Sequence, residues 1–131
     1  MKYNEKVLNE FFNPQNVGVI RGAQGKGKVV NPINREIMKI YLSLEGEKII
    51  DAQFQTFGCP PAIACCSVAT RLIIGKTLSE AEKITEKDIT NELGSLPENK
   101  KLYLSMAVET VKDAVDACRN KGKRAKDEDD D

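Results

Sequence analysis

Apolar positions along the chain follow two periods, and the change from one to the other divides the sequence. In the first half, "IMKIYLSL" sets Ile40, Leu42 and Leu44 on one side of an extended segment, and "IIDAQFQTF" repeats the alternation through Ile50, Ala52 and Phe54. Glu45, Gly46, Glu47 and Lys48 lie between them as a turn, so the pattern predicts a β-hairpin with one buried face. From Pro61 the period becomes helical: Ala62, Cys65, Cys66, Ala69, Leu72 and Ile73 share a face, and Gly75 is the expected stop. Ser79 with Glu82, and Thr85 with Asp88, match the capping-box pattern and predict two short helices. Leu104, Val108, Val111, Val115 and Cys118 then draw a continuous apolar seam, which predicts a long helix from about Lys101 to Asn120. Before the hairpin, Asn4 is a candidate N-cap for a short docking helix with Val7, Leu8, Phe11 and Phe12 on one face, ended by "NPQNVG". Strands early and helices late predict an α+β domain over residues 1–120, with helices packed on one face of a small antiparallel sheet of about three strands. Residues 121–131, a basic block followed by an acidic one, are expected to form a disordered charged tail.

Composition narrows the partners. Twenty basic and twenty acidic side chains cancel, so no overall field favours nucleic acid or an anionic membrane. The sequence has no run of eighteen apolar residues, and "MKYNEKVLNEFFN" lacks the apolar core of a signal peptide; the expected location is cytoplasmic. Histidine is absent, which removes imidazole as ligand and as general base. Four cysteines at unequal spacings, with no C-x-x-C pair, argue against a disulfide framework in a reducing compartment. "RGAQGKGKVVNPINRE", residues 21–36, is rich in glycine and lysine but has neither phosphate-loop spacing, and it reads as a flexible strand-connecting loop.

Three of the cysteines fall within residues 59–66. Cys59 follows Gly58, whose freedom at positive φ suits a tight strand exit, and precedes Pro60 and Pro61, the latter suited to a first helical position. A sulfur beside a helix N-terminus is favoured as thiolate, although two prolines remove two N–H groups that could face an anion. The plainer alternative is a packed cysteine at a strand-helix junction. Cys65 and Cys66, adjacent on a helix, point about 100° apart and cannot chelate one ion together. They read as core fillers or, alternatively, as a replacement ligand. Cys118 extends the seam of the last helix, and Lys100, Lys101, Lys121, Lys123 and Arg124 read as a solvated face and tail.

Four segments, "YNEKVLNEFFNPQNVG" (3–18), "DAQFQTFGC" followed by "AIA" (51–64), "GKTLSEAEKI" (75–84) and "DITNELGSLPENK" (88–100), resemble the IscU/NifU-type iron-sulfur cluster assembly scaffolds in order and spacing. The likeness runs from Tyr3 to about Arg119. It implies a non-enzymatic scaffold that receives sulfur from a cysteine desulfurase and assembles a [2Fe-2S] cluster on three cysteines, assisted by an aspartate and a histidine. Carried over by position, the first family cysteine falls on Asn34 and the aspartate on Glu36. The second cysteine is kept as Cys59. The histidine and the third cysteine fall on Leu102 and Tyr103. The implied metal or persulfide residues are therefore Cys59 and, as auxiliary ligand, Glu36, with Asn34, Leu102 and Tyr103 degenerate. An amide is a poor ligand for iron, and a phenol must first lose a proton of pKa about 10, so a standard one-chain cluster is not expected. The family's L-P-P-V-K segment, read by an Hsp70-type chaperone, keeps Leu96, Pro97 and Lys100 but has Glu98 and Asn99 between them.

Three readings stay open at this point. The first is a scaffold or carrier working through Cys59 with a cysteine desulfurase, holding persulfide sulfur or a cluster shared between copies in a homo-oligomer. The second is a metal-free protein that binds the desulfurase and modulates it. The third is a family fold recruited to another task; a zinc site made by Glu36 and Cys59 alone would have too few ligands.

Overall fold

The computed structural model describes residues 3–120, so the charged tail and its basic residues lie outside the described residues. Asn4 accepts from the Val7 N–H at 2.9 Å and caps helix α1, Glu5–Phe12. Strands β1, Gly25–Val30, β2, Ile37–Glu45, and β3, Lys48–Thr56, form one antiparallel sheet in the order β1-β2-β3. Helices α2, Pro60–Ile73, α3, Leu78–Ala81, α4, Glu86–Leu93, and α5, Leu102–Arg119, complete the chain, with a single 3-10 turn over Glu98–Lys100. The α+β class, the three-stranded sheet and the long last helix are those the sequence predicts. Helices α2 and α5 pack on the sheet and on each other. Among the described residues no helix is long and apolar enough to cross a membrane.

Residues 21–36 are not a flexible loop throughout. Gly25–Val30 is a strand, and its glycines explain the composition: β1 runs directly beneath α5. A Cβ on Gly27 would stand 2.2 Å from the Thr110 carbonyl oxygen, and one on Gly25 would stand 2.4 Å from the Cys118 sulfur. Absent side chains let helix and strand backbones approach, which is a packing requirement rather than a phosphate cradle.

The hairpin departs from strict alternation. Ser43 pairs with Asp51 but Leu44 pairs with Ile49, so Ile50 is an extra residue in β3. The bulge turns Ile50 outward, where it is 48% exposed, and brings Ile49 into the core with Ala52 and Phe54. The expected face of Ile50, Ala52 and Phe54 is corrected accordingly. On the opposite sheet face Tyr41 is covered by the segment around Val19–Ala23 and donates to the Gln55 side chain at 2.9 Å. Residues 16–18 guard the β3 edge, with the Gly18 N–H to the Phe54 carbonyl and the Phe54 N–H to the Asn16 carbonyl, both at 2.8 Å.

Two helix starts also move. The first short helix is capped by Thr77 with Glu80 in a reciprocal capping box, not by Ser79 with Glu82. The second is capped by Thr85 with Asp88 as expected. Helix α2 begins at Pro60, so Pro60 rather than Pro61 takes the first helical position. Helix α1 buries Val7, while Leu8 is at the surface and Phe12 is 71% exposed. It is held instead by a polar clasp: buried Glu10 accepts from Ser67 at 2.5 Å and pairs with Arg71 at 2.9 Å, and Arg71 reaches Glu92 of α4 at 3.1 Å. The Glu10 carboxylate keeps the guanidinium above its ordinary pKa. One cation thereby ties α1 and α4 to α2.

Candidate functional site

Three separate pieces of chain meet at one end of the sheet. The β1–β2 connection is a tight turn: the Asn31 N–H donates to the Glu36 carbonyl at 2.7 Å, the Arg35 N–H to the Asn31 carbonyl at 2.9 Å, and Arg35 adopts a left-handed φ of 67°. Within it the Asn34 side-chain oxygen accepts from the Glu36 N–H at 3.0 Å, which fixes both side chains on the same side. The second piece is the β3–α2 junction with Cys59 as N-cap of α2, and the third is the start of α5, which supplies Leu102 and Tyr103.

Asn34, Glu36, Cys59 and Tyr103 converge. The Asn34 amide donates to Glu36 Oε1 at 2.9 Å and to the Tyr103 hydroxyl oxygen at 3.4 Å. The Tyr103 hydroxyl donates a short hydrogen bond to the same carboxylate oxygen, and the other oxygen of that carboxylate lies against Gly58, the residue before Cys59. Burial first, then the Glu36 carboxylate and Cys59, push the phenol's pKa upward, so it stays protonated at neutral pH. Leu102 does not join the cluster's hydrogen bonds; its side chain packs against the core.

Gly58 serves this site by its size. Its backbone is not in the left-handed region, contrary to the expectation from sequence. A Cβ there would lie 2.9 Å from Glu36 Oε2 and 3.1 Å from the Ala62 methyl, so glycine is what lets the carboxylate approach the Cys59 loop. The start of α2 offers no spare amide to the sulfur. Pro60 and Pro61 have no N–H, and those of Ala62 and Ile63 donate to the Cys59 carbonyl at 2.9 and 3.3 Å.

The other thiols are elsewhere in purpose. Cys65 and Cys66 are fully buried in the core, and desolvation raises both thiol pKa values, with Cys66 and Cys59 adding to the effect at Cys65. Cys118 packs against β1. This favours the core-filler reading of the pair over that of a replacement ligand. Among the described residues no group of three or more Cys, Asp or Glu side chains is placed to hold a metal ion. Cys59 and Glu36 alone do not fit a resident metal centre, because soft-metal and zinc sites need three or four such donors.

One feature of the rim was not singled out from sequence. Ile33 and Phe57, next to the site in the chain, are 85% and 79% exposed. A shallow apolar groove runs from Phe57 past Phe11, Pro14, Val17 and Ile63. The available signal was an apolar residue inside each polar, turn-forming connection; their solvent exposure required the fold.

Residues 2–125 match the family model of the NifU-like N terminal domain. This chain belongs to that family. A NifU-like relative, iron-sulfur cluster assembly scaffold protein IscU 1 of Archaeoglobus fulgidus, is 43% identical over 122 residues, covering 92% of this chain and 80% of its own. Another, the IscU scaffold protein of Aquifex aeolicus, is 42% identical over 116 residues, covering 87% of this chain and 74% of its own. The fold agrees with that of a NifU-like N-terminal protein of Brucella abortus, with a TM-score of 0.70 at 18% identity, over 90% of this chain and 94% of that one. Against this NifU-like frame, the site has a single thiol surrounded by an amide, a carboxylate and a phenol.

Proposed function

We propose that this NifU-like domain carries sulfur for iron-sulfur cluster assembly, accepting one sulfur atom at Cys59 from a cysteine desulfurase. One observation carries the reading: four family ligand positions converge, but Asn34, Glu36 and Tyr103 hydrogen-bond one another around the only thiol there. A set of side chains satisfied in this way supports a sulfur-handling site better than an iron-binding one, since the soft donors that hold iron are reduced to one. The relatives' names, iron-sulfur cluster assembly scaffolds, support the pathway.

In the transfer, the Cys59 thiolate attacks the terminal sulfur of a cysteine persulfide on the desulfurase. A sulfur-sulfur bond forms at Cys59, the one in the donor breaks, and the donor cysteine leaves as thiolate; no net oxidation occurs. The exposed Ile33, Phe57 and Phe12 give such a partner an apolar surface to cover beside the thiol. A [2Fe-2S] cluster is cargo in this scheme, and building one requires thiolates from a second copy or from the recipient protein. The burial of Leu96 in "LPENK", with Glu98 and Asn99 facing solvent, weakens the case for chaperone hand-off at this segment.

The test is to incubate the protein with a cysteine desulfurase, cysteine, iron and a reductant, and to read intact mass and visible absorption. A mass gain of one sulfur, lost in Cys59→Ala, is the expected result. Stable desulfurase binding without any mass gain would replace the carrier by a modulator, and cluster absorption from a monomer would overturn the carrier reading in favour of a one-chain scaffold.

A further inference from the structure

If Cys59 carries sulfur, as proposed above, it must also release it, and release makes different demands on the site. When an acceptor thiolate takes the outer sulfur of a Cys59 persulfide, the bond between the two sulfurs breaks and Cys59 Sγ departs with the electron pair. The rate of such a step rises as the departing thiolate is better stabilised. The start of α2 cannot supply this, because its first two residues are prolines and its next two amides bind the Cys59 carbonyl.

We infer that the Tyr103 hydroxyl is the hydrogen-bond donor to the departing Cys59 sulfur, making the site a sulfur donor to small or protein thiols. The hydroxyl sits beside the Cys59 loop: it donates to Glu36 Oε1, and the other oxygen of that carboxylate lies against Gly58, the residue before Cys59. It is free to turn from the carboxylate to the sulfur because the Asn34 amide already donates to the same Glu36 oxygen at 2.9 Å. The carboxylate therefore keeps a partner when the hydroxyl swings to the sulfur. Tyr103 is only 3% exposed, which holds the ring and its hydroxyl oxygen in place, while the O–H can still turn about the C–O bond. Burial and Glu36 keep the phenol protonated, as a donor must be. In the resemblance drawn from sequence this position is a cysteine, so the phenol exchanges a ligand for a donor.

Inorganic polysulfide loads the thiol without any desulfurase: Cys59 thiolate attacks a chain sulfur, a new sulfur-sulfur bond forms, and a shortened polysulfide leaves. After gel filtration, loss of the added sulfur to dithiothreitol is followed by intact mass in wild type and Tyr103→Phe. The variant is expected to release sulfur about tenfold more slowly at saturating acceptor, the scale of one hydrogen bond to a charged group, with the half-saturating acceptor concentration unchanged. The control is the mixed disulfide of Cys59 with 5-thio-2-nitrobenzoate, cleaved by attack at Cys59 Sγ so that the aromatic thiolate, not Cys59, departs. Its cleavage rate is expected to be the same in both proteins, which a loss of packing or access would not leave unchanged. Equal persulfide release rates, or parallel slowing of both reactions, would overturn the role of Tyr103. Because polysulfide loading bypasses the desulfurase, failure of that enzyme to load Cys59 would sink the carrier function while leaving the release chemistry to stand or fall on its own rates. Thermal unfolding of Tyr103→Phe checks that the variant is folded, and Asn34→Ala provides a second arm: it removes the amide that replaces Tyr103 at Glu36, and slower release is expected there too.

Discussion

Cys59 and Cys65 are six positions apart and chemically opposite. Cys59 is half-buried at a junction where a phenol and a carboxylate gather, whereas Cys65 and Cys66 are enclosed by core side chains. Iodoacetamide on the folded protein is therefore expected to modify Cys59 alone, with Cys65, Cys66 and Cys118 reacting after denaturation; peptide mass mapping that found Cys65 or Cys66 labelled in the native state would contradict the burial assignment. Sequence singles out Cys59 through the family resemblance and its place in the Gly-Cys-Pro junction; the structure shows that it is the half-buried cysteine and the other three are buried. The role of Gly58 was not legible, because the carboxylate it accommodates is 22 residues earlier in the chain and local sequence carries no trace of that approach.

At the scale of elements, the helix seam and the capping pairs depend on neighbours three or four residues away, and these were readable with small shifts. Thr77 displaced Ser79 as cap because both candidate pairs satisfy the same spacing, and only the chain's exit from α2 selects one. The bulge at Ile50 could not be read, since alternation is a property of one strand while register belongs to two. Strand β1 was missed because glycines weaken any strand signal, and here they are present for the helix above them. Gly27→Ala is expected to destabilise the protein by about 2–3 kcal/mol through overpacking between β1 and α5, measured by urea unfolding. Lys28→Ala, on the exposed side of the same strand, is expected to change stability by less than about 0.5 kcal/mol. Equal effects of the two substitutions would refute the close-packing account of "GKGK".

For the molecule as a whole, two protonated thiols in one core make stability depend on alkaline pH. Cys65 and Cys66 have raised pKa values in the fold, whereas in the unfolded chain they ionise near about 8.5. Above that pH the unfolded state binds fewer protons than the folded one, so unfolding becomes easier as pH rises; below it the two states hold the same protons and the effect vanishes. Each thiol is expected to contribute a slope of about 1.4 kcal/mol per pH unit above the unfolded pKa. Urea midpoints measured from pH 7.5 to 10 should fall, and Cys65→Ala with Cys66→Ala should flatten that fall; an unchanged slope in the double variant would show that other groups are responsible. Sequence alone determined the α+β class, the hairpin and the long last helix, because these rest on periodicity, turn chemistry and residue type, all local. Tertiary structure decided the strand under α5, the outward turn of Ile50 and the meeting of Asn34, Glu36, Cys59 and Tyr103. The physical reason is that each of these is fixed by which atoms touch between different elements, and such contacts are set by packing of the whole core rather than by local sequence.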